Sequence, residues 1–149
     1  MTRYYHATPR ENLDSIMQHG ILRRFGEVYC STNEETAARW ICFTRRGCKE
    51  VITLPFNRRE NDERMNIGAD HSPLTLKAIG AQEEGASFTS SETIPPEDID
   101  WSNVIVYQNP FYSEEAERVM NDALKHNQQM LMEAGAEAIK NDIIGDEEE

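Results

Sequence analysis

His6 lies in Tyr4-Tyr5-His6-Ala7-Thr8-Pro9-Arg10-Glu11-Asn12-Leu13, a short β-type run that passes straight into a helix signature. An imidazole titrates and exchanges hydrogen bonds near neutral pH, and at the C-terminal end of a strand it is well placed to face a ligand. The same position suits a structural ring, so residue types alone leave both readings open. Cys30, Cys42 and Cys48 form no C-x-x-C pair, leave one thiol over in any disulfide scheme and have no clustered histidine for zinc. They read as reduced thiols of a cytoplasmic protein, and no metal site is expected. Arg23-Arg24 and Arg58-Arg59 can each hold one pyrophosphate, while no glycine spacing matches a dinucleotide fingerprint or a P-loop. His71, within Asp70-His71-Ser72-Pro73, reads as turn scaffolding.

Tyr5-His6-Ala7-Thr8-Pro9, followed by Glu11-Asn12-Leu13 and by Ile16 and Gly20-Ile21, resembles the opening of the ADP-ribosyltransferase fold in its His-Tyr-Glu branch. The resemblance spans residues 4–109 and is densest over 4–43. It implies an α+β fold in which two small, mostly antiparallel sheets form a cleft with flanking helices, and it implies NAD as substrate. By the same resemblance His6 holds the adenosine ribose and the nicotinamide amide, with Ala7 and Thr8 beside it, and Tyr29 stacks on the nicotinamide. Ser31 and Thr32 stand where a sister branch carries a Ser-Thr-Ser motif that supports the second strand.

Breaking the nicotinamide–ribose bond passes through an oxocarbenium-like state, which requires a carboxylate beside the developing positive charge. The register at which the resemblance places that glutamate falls near Ser87. Glu84 and Glu92 are the candidate acids nearby, Glu84 preferred, and either serves only if the loop is built differently from the family pattern. Two functions follow. One is mono-ADP-ribosyl transfer from NAD to a macromolecular target, expected to be a protein because small acidic members of this fold in phages and toxin systems act on host proteins. The other is a catalytically degenerate fold acting as a protein-binding inhibitor or nucleotide-binding module. The RNA 2′-phosphotransferase group shares the fold and an early histidine, but its basic phosphate-binding set has no clear counterpart here.

Helix and strand signals position these residues. Thr8 with Glu11 has capping-box spacing, Pro9 suits a first helical position, Leu13, Ile16 and Met17 form an apolar face, and Gly20 ends the helix. Val28-Tyr29-Cys30 is a second strand, and Thr32 with Glu35 repeats the capping spacing before a helix bearing Ala37, Ala38, Trp40 and Ile41. Trp40 reads as core. Glu50 to Leu54 has the β-branched density of a central strand that Pro55 ends. Asn57 to Arg64 reads as an exposed loop with solvated basic side chains, residues 86–90 as an edge strand around Phe88, and Val104 to Tyr107 as a buried strand.

Residues 113–149 carry 11 acidic against 3 basic side chains, so most of the net charge of −12 is C-terminal. That acidity disfavours direct contact with a nucleic acid. No apolar run is long enough for a membrane span. The sequence divides into a domain over 1–112, an amphipathic acidic helix over 113–144 that Gly135 interrupts, and a disordered acidic tail over 145–149. The helical stripe of Val119, Met120, Ala123, Leu124, Met130 and Leu131 either packs on the chain's own sheet or docks a partner.

Overall fold

Val51 to Phe56 form an unbroken buried run, and they lie in a strand covered on both faces. In the computed structural model, which describes residues 1–23, 26–68, 72–82 and 87–148 and side chains as far as 134, this run belongs to β3 (Glu50–Arg58). β1 (Thr2–Pro9) pairs antiparallel with β3 along its whole length, from Thr2 opposite Arg58 to Pro9 opposite Val51. β6 (Ile105–Gln108) pairs with the other edge of β3 over Glu50 to Thr53 only. A second antiparallel sheet has the order β2 (Val28–Cys30), β5 (Phe88–Ser90), β4 (Met65–Ile67). The protein is thus a mixed α+β chain with two small antiparallel sheets and a C-terminal helix.

Strand alternation sorts the core into two layers. Tyr4, Ile52, Leu54 and Phe56 meet Ile16, Ile21, Val28, Cys30, Ile94 and Ile99. On the other layer, Ala7 and Val51 meet Ala37 and Cys42 of α2 (Glu34–Thr44). Thr36, Ala37 and Ala38 supply the close approach, whereas Trp40 stays half-buried and Ile41 is the large residue that packs there.

Several sequence expectations are corrected. Pro55 does not end β3. Tyr5 sends both of its backbone groups to Ser31, so the Pro55 nitrogen faces the side that β6 no longer covers, where the Pro55 carbonyl accepts from Asp100 N at 2.8 Å. Thr8 does not cap a helix: strand pairing with Ile52 keeps it extended, and its hydroxyl accepts from Asn12 Nδ2 at 2.8 Å. A 3₁₀ turn over Arg10–Asn12 then precedes α1 (Leu13–His19), on which Ile16 is buried and Met17 exposed. Asn33, not Thr32, caps α2, accepting from Thr36 N at 2.9 Å. The strand at Phe88 is the middle of its sheet rather than an edge, because β4 pairs with it. β4 and α3 (Pro73–Ala78) had no expectation attached to them, although α3 buries Leu76. β6, expected to be buried, is an edge strand with Ile105 and Val106 exposed.

The C-terminal helix, α4 (Glu114–Glu148), runs through Gly135 without a break and takes in residues 145–148, where a disordered tail was expected. Ser113 Oγ accepts from Ala116 N at 3.0 Å and caps α4. Among the described residues no helix is long and apolar enough to cross a membrane.

Gly20 is the sequence signal that survives most directly. Its φ of +75° turns the chain out of α1 into a bridge in which Ile21 and Ile94 exchange backbone bonds of 2.8 and 3.0 Å. A Cβ at this glycine would sit 2.2 Å from the Ile94 carbonyl oxygen. Gly20→Ala is therefore expected to destabilise the fold by about 2–4 kcal/mol, from the left-handed backbone and the displaced bridge together, read by urea unfolding.

Candidate functional site

His6 sits on β1 with Tyr4, on the face turned toward the second sheet. Its Nδ1 lies 2.7 Å from the backbone oxygen of Tyr29 on β2. A carbonyl only accepts, so Nδ1 carries the proton and Nε2 is the nitrogen that gains or loses one. Next to it, Tyr5 N donates to Ser31 O at 2.7 Å and Ser31 N donates to Tyr5 O at 2.9 Å. These two bonds join the sheets and fix the level at which the imidazole meets β2.

Tyr29 alternates with Val28 and Cys30. They are buried in the core, so the phenol points away from it and is 37% exposed. The contact between His6 and Tyr29 therefore runs through backbone, and the ring of Tyr29 is presented outward. An outward aromatic ring is a surface on which a flat heteroaromatic group can stack. Ser31 Oγ accepts from Asn33 N at 3.0 Å, so Ser31 turns the chain from β2 into the cap of α2, with half-buried Thr32 between them. Ala7 and Thr8 are buried, Ala7 against α2 and Thr8 under Asn12. Both support the strand end from behind.

Of the two candidate acids, Glu84 lies outside the described residues, and so does His71. The chain on either side of residues 83–86 is placed. Asn33 Nδ2 donates to Gln82 Oε1 at 3.0 Å and Gln82 N donates to Thr36 Oγ1 at 3.1 Å, which holds Gln82 at the start of α2. Ser87 O accepts from Gly68 N at 3.0 Å, and the next residue, Phe88, pairs with Cys30. Glu92 stands beyond the opposite end of β5, past Ser90, which pairs with Val28. Its carboxylate faces Arg64 at 3.9 Å and its backbone is held by Ser90 Oγ. The structure thus gathers His6, Tyr29 and Ser31 at one junction and directs Glu92 toward Arg64. Asn33 and Gln82 belong to the same junction and carried no signal beyond their polarity.

The arginines are more committed than solvated loop residues would be. Arg58 is buried and bonds Asp98 at 3.1 Å, with its Nε unpartnered among the described residues. Arg64 clasps Asp62 with bonds of 2.9 and 2.7 Å, holding that carboxyl far below the usual range. The same turn, Arg59 to Arg64, lines a surface hollow of about 510 Å³ made from consecutive residues alone. Of the two arginines that line it, Arg64 is already paired at short range with Asp62. Among the described residues no group of three His, Cys, Asp or Glu side chains could hold a metal ion.

Burial removes the thiols from nucleophilic chemistry. It raises the Cys30 thiol to about 12 and the Cys42 thiol to about 11, and it raises Cys48 as well, with Glu11 adding to the effect. At pH 8 the folded protein is expected to alkylate Cys30 and Cys42 with iodoacetamide roughly 100-fold more slowly than the denatured chain does, followed by mass spectrometry. No family model matches the chain, and no curated protein matches it.

Proposed function

We propose that the protein is an NAD-binding, mono-ADP-ribosyltransferase-like protein of the ADP-ribosyltransferase fold, which transfers ADP-ribose to a protein target. The single observation that supports this reading most is the 2.7 Å bond from His6 Nδ1 to the Tyr29 backbone. It fixes an imidazole inside β1, which runs on past the expected strand end at His6 to Pro9, and gives it a defined tautomer beside a strand that presents an outward aromatic ring. An imidazole nitrogen and a flat hydrophobic surface suit a ribose hydroxyl and a planar heterocycle respectively.

In this reading His6 holds the ribose and the nicotinamide amide, and Tyr29 stacks on the ring. Ser31 and Thr32 keep β2 at its level, and Ala7 and Thr8 back the strand. His6→Ala is expected to weaken NAD binding at least tenfold in calorimetry, equivalent to about 1.4 kcal/mol, while far-UV circular dichroism stays unchanged. Unaltered affinity on folded protein would take His6 out of the site.

The chemistry needs an acid near the ribose, and Glu84 is the candidate in this reading. Residues 83–86 lie between Gln82, which is held at the start of α2, and Ser87, which leads directly into the strand beside β2. Glu84→Gln is expected to lower NAD turnover by on the order of 10²–10³ with little change in binding, and Glu92→Gln to lower it far less. A second reading, a nucleotide-binding module or protein-binding inhibitor without transferase activity, is favoured by two observations: Ser87 occupies the position at which the resemblance expects the acid, and Glu92 faces Arg64. Binding of NAD with no turnover in the parent chain, and no effect of either Gln substitution, selects that module.

A further inference from the structure

In an antiparallel ladder successive residues turn their backbone groups to opposite edges of the strand, and bonds at three places fix that alternation in the larger sheet. Tyr5 exchanges its bonds with Ser31, so Tyr5 and Pro55 stand opposite without bonding, and the Pro55 carbonyl turns to the β6 side to accept from Asp100 N. Val51 and Thr53 share the direction of Pro55 and stand opposite Tyr107 and Ile105. Asn109 N donates to Lys49 O at 2.8 Å, in the same phase. The backbone groups of Val104, Val106 and Gln108 therefore point away from β3, out of the sheet.

The two edges of this sheet differ. Ser31 closes β1 at Tyr5, whereas among the described residues no strand lies on the far side of β6, and Ile105 and Val106 are 41% and 43% exposed. The chain also leaves β6 without crossing that edge: Tyr112 N bonds Asn109 O, and Ser113 N bonds Arg46 O at 3.1 Å, which carries it back past the end of α2. Open edges are ordinarily blunted by a lysine, a proline or a bulge. Val104-Ile105-Val106-Tyr107-Gln108 has no lysine or proline, and it pairs with β3 in unbroken register from Ile105 to Gln108. Such an edge accepts another strand.

The surroundings select which strand. The carboxylates beside β6 are engaged, Glu50 by Arg10 and Gln108, Glu34 by the Tyr107 hydroxyl, so no free charge calls for a charged peptide. The edge suits an uncharged, β-branched run of its own length, which β6 itself supplies. A two-fold axis at Val106 sets Val106 against Val106 of a second copy and Val104 against its Gln108, so that three outward residues on each chain find partners. The same axis sets Ile105 against Tyr107 of the second copy, a favourable β-branched and aromatic pair. An axis at Tyr107 would put Val104 opposite Pro110, which has no N–H. Because α2 packs over β1 and β3, strands about 4.8 Å apart leave the two copies of α2 about 19 Å apart, wider than a helix diameter.

We propose that the protein forms a homodimer in which two β6 strands pair antiparallel about a two-fold at Val106, making one six-stranded sheet. The contact closes on itself, because each edge is used once. A pair of five-residue edges is smaller than a standard interface, so the dimer dissociates on dilution.

Sedimentation equilibrium of the full chain is expected to rise from the monomer mass toward twice that mass across roughly 10–300 µM. Val106→Lys places like charges opposite each other, and Val106→Pro removes an N–H that faces away from β3; each is expected to weaken association at least ~tenfold with unchanged near-UV circular dichroism. Leu131→Lys, at a residue 73% exposed on α4, is expected to leave the mass unchanged. Hydrogen exchange reads the register: the Val104, Val106 and Gln108 amides are expected to slow several-fold with rising concentration, and the Ile105 and Tyr107 amides to be protected throughout. A wild-type chain that stays monomeric overturns the proposal. So does a dimer that survives both Val106 substitutions, one that Leu131→Lys dissociates, or concentration-dependent protection that misses β6.

Discussion

The paired hydrogen bonds between Tyr5 and Ser31 hold this structure to one arrangement. They are the point at which β1, an edge of the larger sheet, meets β2, an edge of the smaller one. With them in place, Tyr4 and the even-numbered side chains of β3 face Val28 and Cys30 across one core layer, and Ala7 and Val51 face α2 on the other. Slippage by one residue would exchange the two faces of β1 and bury Tyr5 where Tyr4 belongs. The same two bonds send His6 to the Tyr29 carbonyl and deliver the chain to the Asn33 cap.

Polar groups in the interior reinforce that arrangement where apolar packing is thin. Asn109 is buried between α2 and β3, and its amide nitrogen serves the carbonyls of Cys42, Arg45 and Cys48 at 3.0, 3.0 and 2.9 Å. Its Oδ1 accepts from Phe111 N at 2.9 Å, so one side chain satisfies the end of a helix, a turn and the chain leaving β6. Arg58 does comparable service at the far end of β3, lying over the Phe56 ring and bonding Asp98. Cross-chain anchors such as these let short strands of three residues hold a sheet that their own ladders would leave marginal.

Around the junction the chemistry is asymmetric. The imidazole and the phenol ring belong to strands fixed on both sides, whereas the acidic groups described there are engaged elsewhere: Glu34 with the Tyr107 hydroxyl, and Glu92 toward Arg64. Burial, together with the bond to Glu34, raises the Tyr107 phenol well above its ordinary value. The site therefore offers hydrogen bonding and stacking from a rigid frame.

The order of local signals determined much of this by itself. β-Branched density at 50–54 marked the central strand, Gly20 marked the turn after the first helix, and the succession of strand, helix, strand, helix was legible from residue 4 to residue 44. His6 was marked by its chemistry within a strand run, and both it and Tyr29 by the resemblance to the ADP-ribosyltransferase opening. The bond that brings one to the other spans 23 residues and depends on a partner, Ser31, that no local pattern designates. Tertiary contacts also overrode individual signals. Thr8 gave up a helix cap because pairing with Ile52 offered its backbone a ladder, and Pro55 stayed inside a strand because its nitrogen faced a gap left by a shorter neighbour. Phe88 became a central strand residue once β4 arrived from a stretch with no strand signal. Whether the apolar stripe of α4 lay inward or outward was beyond any periodicity to decide, because periodicity marks a face and only the path of the chain says what stands opposite it.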